Sequence, residues 1–332
     1  MPFLPLGGQA VIEGVMMRSP TRVAVAVRRP DGSIAFFERS FESVTRRVKL
    51  LGLPVVRGAV SLFETLSLGI AALNFSADEA SRDETSGAAA ARPSPWMAVM
   101  QGVTVVVSLG LGVLLFVVLP ARLTAWLGFN DRVRFGLVDG AFRLTAFVLY
   151  LWLISQWKEM ARVLGFHGAE HKAIHALEAG VPLTPENVQK FPRLHPRCGT
   201  TFLFLVVMIS IVAFTFIGRP ANLAQHLLRV ACMPLIAGVA FEFIRLSGKY
   251  SDQSIVRALS WPGMQFQRLT TREPDLEMCA VAIASLEKVL GDPALEAARQ
   301  IRTKDSRSAR WIAADAIREL EGDKVRRKLG LA

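Results

Sequence analysis

Two long stretches without a formal charge place the strongest constraint on how this 332-residue chain can fold. Between Arg92 and Arg122 lie 29 consecutive residues without Asp, Glu, Lys or Arg, and residues 198–218 form a second uncharged stretch. A helix needs about 20 predominantly apolar residues to cross the hydrocarbon core of a bilayer. Helices also satisfy their own backbone polar groups there. The sequence therefore predicts a mainly α-helical, polytopic membrane protein, in line with its 52% content of hydrophobic residues.

Two further segments are apolar but interrupted by charges, which makes them weaker candidates. Residues 137–157 contain Asp139 and Arg143 at i,i+4 spacing, and residues 227–244 contain an arginine, a proline and Glu242. Each could instead lie along the membrane or beneath the stronger spans. We expect about four transmembrane helices, at residues 97–119, 137–157, 198–218 and 227–244.

The distribution of basic residues predicts the orientation of these spans. With four spans, the region up to Arg92, the loop 158–197 and the tail from Arg245 share one side, and they hold 33 of the 39 Lys and Arg residues. Positive residues favour the cytoplasmic side. Both termini and the loop are therefore expected in the cytoplasm. Three scattered cysteines do not form a disulfide framework and suit a reducing compartment.

The chain divides into regions of different composition. Residues 1–75 are expected to form an N-terminal cytosolic region with a β-hairpin from strands at 22–28 and 34–38, then an amphipathic helix at 55–73. The remaining regions are a flexible linker at 76–96, a membrane region at 97–247 that includes the His/Cys loop 158–197, a cytosolic helical segment at 248–291 and a basic amphipathic tail at 292–332. We expect the second span to continue as a helix through Ala179. The segment 248–291 should contain a turn at 260–263 and a helix from Leu276 that Pro274 and Asp275 cap.

A formal net charge of +11 raises the question of nucleic-acid binding. The sequence has no zinc finger, no aromatic RNA-binding signature and no Gly-rich phosphate loop, so no specific nucleic acid is expected as a partner. Anionic lipids attract basic residues next to a membrane. The expected partners are the lipid bilayer and, through the basic tail, its anionic lipids.

The densest chemistry lies in and just after the loop, where four of the five histidines fall within 29 residues. His167, His171 and His175 recur every four residues and Glu178 follows three later, so on a helix all four lie on one stripe. His195 and Cys198 follow shortly afterwards. Imidazole, carboxylate and thiolate are the usual ligands of zinc and related divalent metals. We therefore expect a metal or catalytic site, with zinc as the preferred ion.

One arrangement of this site is hydrolytic. The spacing of His167, Glu170 and His171 matches the inverted zincin pattern, in which two histidines bind zinc and the glutamate acts as general base on a metal-bound water. A catalytic zinc needs a third protein ligand. Glu242 is a candidate because an ionisable residue in an apolar segment is a functional hypothesis by default. An ion pair with Arg245 is the alternative for Glu242.

A second arrangement is structural. His171, His175, His195 and Cys198 would make a closed site with four protein ligands. Cys198 could equally be a small buried thiol at the start of a helix, or a nucleophile next to a histidine. These alternatives stay open at the level of sequence.

Several stretches of the chain resemble the YqhQ-like family of bacterial membrane proteins. They are GGQAVIEGVMMR at 7–18, PVVRG at 54–58, FHGAEHKAIHALE at 166–178, HPRCGTTF at 195–202, FEFIRLSGK at 241–249 and QRLTTREPDLEM at 267–278. The family is of unknown function and is commonly labelled as predicted metal-dependent enzymes. The resemblance implies a protein of the bacterial inner membrane with a polar site on the cytosolic side, and it supplies no reaction.

Two classes of function follow from these observations. The first is a membrane-embedded, metal-dependent hydrolase with a cytosol-facing site, in which Glu170 activates water. The second is a non-catalytic scaffold or transport component whose histidine cluster holds a structural or regulatory metal. Open coordination at the metal would favour the first, and four protein ligands would favour the second.

Overall fold

The computed structural model describes residues 6–82, 95–129, 131–195, 198–249 and 253–290. The basic tail and most of the expected linker lie outside these ranges. The described part of the chain is mainly helical and begins with a four-stranded antiparallel sheet. The strands are β1 (Gly7–Val11), β2 (Gly14–Arg18), β3 (Arg22–Arg28) and β4 (Ile34–Ser40). The helices are α1 (Val44–Arg47), α2 (Val56–Ala80), α3 (Pro95–Val113), α4 (Leu119–Trp126), α5 (Arg132–Ile154), α6 (Lys158–Ala179), α7 (Pro185–Gln189), α8 (Gly199–Ile217), α9 (Leu223–Ala231), α10 (Met233–Lys249), α11 (Ser254–Thr270) and α12 (Leu276–Leu290).

The N-terminal sheet contains the predicted hairpin and two further strands. Its order is β1-β2-β3-β4, and β3 and β4 are joined by a turn in which Gly32 has a φ of +84° and donates its N–H to the carbonyl of Arg29. Glu13 lies in the tight turn between β1 and β2 with a φ of +51°. The sequence did not separate β1 from β2, because Ile12 and Glu13 lack the Gly or Asn that usually signals such a turn.

The sheet is covered on both faces, and the alternation of residues in β3 explains how. Val23, Val25 and Val27 face α2, while the small side chains of Ala24 and Ala26 face α6 and α12. The alanines let α12 approach closely, so that the hydroxyl of its Ser285 donates to the carbonyl of Ala24 at 3.1 Å. The sheet, α6 and α12 therefore share one hydrophobic core.

Helix α2 joins the sheet to the membrane helices. Near its start, Gly58 packs against Gly238 of α10, where a Cβ would lie only 2.8 Å from the Gly238 Cα. Near its end, Leu68 and Ala72 pack under the sheet, and the hydroxyl of Ser76 accepts from the backbone N–H of Ile12 at 3.3 Å. The helix runs on to Ala80, so the first residues of the expected linker are helical.

Five helical segments are long and apolar enough to cross a membrane. They are Val56–Ala80, Gly102–Trp126, Arg132–Ile154, Gly199–Ile217 and Leu223–Ser247. Four of them coincide with the expected spans, and the additional one is α2. Two of the segments change helix geometry along their length. Leu114–Val118 forms a π-helical turn just before Pro120, and the helix is interrupted at Cys232 just before Pro234. Both changes are expected because proline has no backbone N–H to donate within a helix.

Three of the charges that weakened two of the span predictions form one buried cluster inside the helix bundle. One oxygen of Asp139 accepts from Arg143 at 2.9 Å and from Arg229 at 3.3 Å. Arg143 also donates to the hydroxyl of Ser210, and Arg229 donates to the carbonyl of Gly218 at the end of α8. The three charged residues are at most 2% exposed. They therefore link α5, α8 and α9 within the bundle.

Three boundaries bear on the sequence predictions. The second span ends at Ile154, and α6 begins separately at Lys158. The turn expected at 260–263 lies inside α11, because Gly263 and Phe266 of that helix pack against Thr201 and Phe204 of α8. The cap of α12 is confirmed, since Asp275 accepts from the N–H of Met278 at 2.7 Å.

Candidate metal centre

Helix α6 carries the histidines and is buried on almost every side from Leu164 to Glu178. The sheet, α7, α12 and the connection between α11 and α12 surround it. A Cβ at Gly168 would lie 2.1 Å from the carbonyl oxygen of Arg272, and one at Gly165 would lie 2.8 Å from the sulfur of Met278. These glycines let the polar stripe of α6 be enclosed by backbone and neighbouring helices.

A first set of donors, which we call the His–Cys group, consists of His167, His171 and Cys198. One ligand atom from each lies within 4.8 Å of the others. His167 Nε2 is 3.1 Å from Cys198 Sγ. His171 and Cys198 are buried, and His167 is partly buried.

Backbone carbonyls fix the tautomers of the two histidines in this group. Nδ1 of His167 lies 2.7 Å from the carbonyl of Thr270, and Nδ1 of His171 lies 2.6 Å from that of Arg193. Because a carbonyl only accepts, both Nδ1 atoms donate, and Nε2 is the nitrogen that carries the lone pair whenever the ring is neutral. Nε2 of His171 is buried and has no hydrogen-bond partner among the described residues. A ring that donates one N–H to a carbonyl and presents its other nitrogen is the usual state of a metal ligand.

Cys198 lies where a thiolate is stabilised. It caps the N-terminus of α8, and its sulfur accepts from the N–H of Thr200 at 3.3 Å. Burial alone would raise the pKa of the Cys198 thiol, but the nearby imidazoles of His167 and His171 outweigh burial and hold it well below its usual value. Burial lowers the pKa of His167, but Cys198, Glu170 and the Thr270 carbonyl together raise it to about 9. Both directions favour a thiolate, which is the form that binds a metal or acts as a nucleophile.

Glu170 is a buried carboxylate next to this group. It is 4% exposed, and its Oε2 atom has no hydrogen-bond partner among the described residues. It packs against β1 at Gly8, where a Cβ would lie 2.6 Å from the carboxylate carbon. Burial raises the pKa of Glu170, and the nearby His171 and His167 oppose that rise. An unpartnered buried carboxylate costs stability, which suggests that Glu170 serves a function.

A second set of donors, which we call the His–Glu group, consists of His175, Glu178 and His195. One ligand atom from each lies within 4.8 Å of the others, and no member is more than 6% exposed. Nε2 of His175 donates to the carbonyl of Leu194 at 2.9 Å, which leaves Nδ1 as its lone-pair nitrogen. Nε2 of His195 is 3.8 Å from Oε2 of Glu178.

The two groups are neighbours. The ring centroids of His171 and His195 are 5.6 Å apart, compared with 4.5 Å between His167 and His171 and 4.7 Å between His175 and His195. The four-ligand arrangement that the sequence suggested from His171, His175, His195 and Cys198 is therefore divided between two groups.

Glu242 lies elsewhere in the structure. Its carboxylate accepts from the side chain of Arg57 and, at 3.2 Å, from the N–H of Val55, and so ties the start of α2 to α10. The ion-pair alternative thus describes Glu242 better than the ligand prediction, with Arg57 as the partner instead of Arg245. The other predicted site residues are brought together, and their role as metal ligands stays a prediction.

Several residues that hold the site were missed at the level of sequence. Gln267 of α11 accepts from the backbone N–H of His195 at 2.8 Å and donates to its carbonyl at 2.7 Å, so it fixes the loop that carries this histidine. Thr270 supplies a carbonyl to His167, and Gly8 makes room for Glu170. All three residues lie in the stretches that carry the family resemblance, and this resemblance is the one sequence feature that could have pointed to them.

Comparison with known proteins places the chain in a family of unknown function. The helices and the clustered donors define an apolar, multi-helix membrane protein that encloses a polar His/Cys/Glu site. The family described as "Protein of unknown function (DUF1385)" matches residues 53–292, and the chain belongs to this family. The chain is 32% identical over 308 residues to "Uncharacterized protein YqhQ" of Bacillus subtilis (strain 168), covering 89% of this chain and 95% of that protein. No solved structure matches the chain.

Proposed function

We propose that this protein is a membrane-embedded, metal-dependent hydrolase whose site opens toward the cytosol. His167, His171 and Cys198 hold a divalent metal, with zinc as the preferred ion, and Glu170 is the general base. The observation that carries the proposal is the His–Cys group itself. Its donors lie within 4.8 Å of one another. Glu170 directly precedes His171 on α6, and its Oε2 atom has no hydrogen-bond partner among the described residues.

The number of donors supports a catalytic site in preference to a structural one. Structural zinc sites have four protein ligands, whereas catalytic sites have three and keep one position open. The His–Cys group offers three, and Cys198 takes the place that the sequence analysis gave to Glu242. A zinc ion bound there supplies a water activated near neutral pH.

The residues around that position have separable roles. The carboxylate of Glu170 accepts a proton from the water as its oxygen attacks the substrate, and then gives this proton to the leaving group. Thr270 and Arg193 hold the two imidazoles through their carbonyls, so that neither ring rotates or changes tautomer during the reaction. The sheet above Glu170 limits access of bulk water to this carboxylate.

The packing also supports four spans. The sheet, α6 and α12 share one core, so they lie on one side of the membrane. An even number of crossings must then separate the sheet from α6, although three of the apolar helices lie between them in the chain. We propose that α2 is the helix that does not cross, because Glu79 near its end pairs with Arg29 of the sheet at 2.6 Å. The excess of basic residues on this side supports a cytoplasmic location for it.

One observation favours the second candidate, a non-catalytic scaffold or transport component with a structural metal. The donors are strongly buried, with His171 only 1% and Cys198 6% exposed, as in a closed structural site. A substrate must therefore reach the metal past the partly buried His167, or after a local movement.

Replacement of Glu170 by Gln separates the two functions. Glu170→Gln keeps the size of the side chain and removes the base, so a hydrolase should retain its metal and lose about 10²–10⁴ in rate. In a deletion strain, the variant should fail to complement while purifying with as much metal as wild type. Glu159→Gln, at an exposed position of the same helix, is the matched control and should complement. Full complementation by Glu170→Gln with metal bound would support the scaffold and contradict the hydrolase.

A further inference from the structure

The His–Glu group is not used by the proposed reaction, yet it is as compact as the His–Cys group. We propose that His175, Glu178 and His195 bind a second divalent cation, which fastens the loop before α8 to α6. This goes beyond the proposed function, which needs a single metal.

The distances within the group fit ligands of one ion. The 3.8 Å between Nε2 of His195 and Oε2 of Glu178 is longer than a hydrogen bond. Two ligands bound at about 2.0–2.1 Å to a tetrahedral ion lie roughly 3.3 Å apart. A small contraction would therefore bring both atoms into the coordination sphere, and the remaining donor lies within 4.8 Å of each.

The surroundings of the group are already those of a metal site. The Leu194 carbonyl accepts from Nε2 of His175 and so fixes the orientation and tautomer of this ring. Gln267 binds the backbone of His195 on both its N–H and its carbonyl, so the position of this ligand does not depend on its ring. The support that a bound ion would need is thus present in the described residues.

The burial of the group also suits a bound cation. Glu178 is 6% exposed and its two histidine neighbours are at most 3% exposed. An ion at this position would therefore be held by protein ligands and shielded from bulk water. The competing arrangement is an ion pair between Glu178 and His195, and the experiment must distinguish the two.

The site also has a position that suggests its role. His195 and Cys198 lie on the same loop, and the carbonyl of His195 accepts from the N–H of Cys198 at 3.3 Å. An ion that joins His195 to α6 would hold Cys198 in reach of His167. The ligand set of two nitrogens and one oxygen suits zinc or manganese, whereas the thiolate of the His–Cys group favours zinc.

The test is the zinc stoichiometry of the full-length protein, purified in detergent, loaded with zinc and freed of excess by gel filtration. Wild type should hold about two equivalents, and Glu178→Gln and His175→Ala about one each. Cys198→Ser should also hold about one, and the variant that combines Cys198→Ser with Glu178→Gln should hold none. Glu287→Gln, at an exposed position of α12, should retain both ions. Elution as a monodisperse peak identifies folded variants, and the conservative Glu178→Gln change carries the test if His175→Ala aggregates.

The outcomes separate this proposal from the proposed function. A single equivalent that is lost in Cys198→Ser and kept in Glu178→Gln overturns the second site alone. A single equivalent that is lost in Glu178→Gln and kept in Cys198→Ser supports the His–Glu site and overturns the His–Cys site. A wild-type protein without zinc overturns both.

Discussion

Nε2 of His167 lies 3.1 Å from Sγ of Cys198, although 31 residues separate them in the chain. One residue is on a helix outside the apolar spans and the other begins the apolar helix α8. The contact therefore lies between α6 and the first residues of the apolar helix α8. It adds the thiol of Cys198 to two histidines of α6, which together make a site with three donors.

Gly8 should be sensitive to substitution while its neighbour Gly7 is not. A Cβ at Gly8 would lie 2.6 Å from the carboxylate of Glu170, whereas one at Gly7 meets nothing within 4 Å. Gly8→Ala should displace Glu170, reduce complementation and leave the metal content unchanged. Gly7→Ala should match wild type. Equal complementation by the two variants would show that the sheet does not position Glu170.

Asp139 should be required for folding of the membrane helices. It is the shared partner of Arg143 and Arg229, and Asp139→Asn leaves two buried cations without a compensating charge. Breaking such a cluster costs about 3–5 kcal/mol, so the yield of monodisperse protein after detergent extraction should fall sharply. Asp131→Asn, at the exposed N-cap of α5, should leave the yield close to wild type, because Asn caps a helix about as well as Asp does. A normal yield for Asp139→Asn would contradict the buried cluster.

The topology can be tested with cysteines introduced at four positions. Ser33 in the turn between β3 and β4, Ser81 after α2 and Asn187 in α7 should be labelled by an impermeant maleimide only when the cytoplasmic face is accessible. Asn130, between the first two spans, should be labelled from the opposite face. Labelling of Ser81 from the face opposite to Ser33 would show that α2 crosses the membrane.

Cys279 should resist alkylation in the folded protein. It is fully buried in α12, and burial raises the pKa of its thiol to about 12. Almost none of it is therefore thiolate at pH 8, and the reagent cannot reach it. Mass spectrometry after iodoacetamide treatment at pH 8 should find Cys279 unmodified in native protein and modified after denaturation. Fast modification of the native protein would mean that α12 does not pack as described.

The fold was predictable where a local pattern determines it. The uncharged stretches identified the strongest spans, and the Val/Ala alternation of β3 identified a strand. Asp275 identified the start of α12. The prediction of a turn at 260–263 was wrong, because packing of α11 on α8 outweighs the helix-breaking effect of Pro262. Such a contact between distant parts of the chain cannot be predicted from the residues next to Pro262.

The candidate site was predictable in its residues and not in its grouping. The four-residue spacing gathered His167, His171 and His175 on one stripe of α6. Which of these histidines contacts Cys198 depends on the path of the loop before α8. Gln267 of α11, which is distant in the sequence, fixes that path through its hydrogen bonds to the backbone of His195. Glu242 was misplaced for a similar reason, since its partner Arg57 is 185 residues away in the chain.

Cobalt substitution tests the central claim most directly, because it reports which sulfur binds the metal. A thiolate bound to Co²⁺ gives an intense charge-transfer absorption in the near ultraviolet that nitrogen and oxygen ligands do not give. Loaded with Co²⁺, wild-type protein should show this band, and Cys232→Ser and Cys279→Ser should keep it. Cys198→Ser should abolish it, and His171→Ala should weaken or abolish it together with the bound cobalt. A cobalt-loaded wild-type protein without the band, or a band that survives in Cys198→Ser, would contradict a metal held by His167, His171 and Cys198.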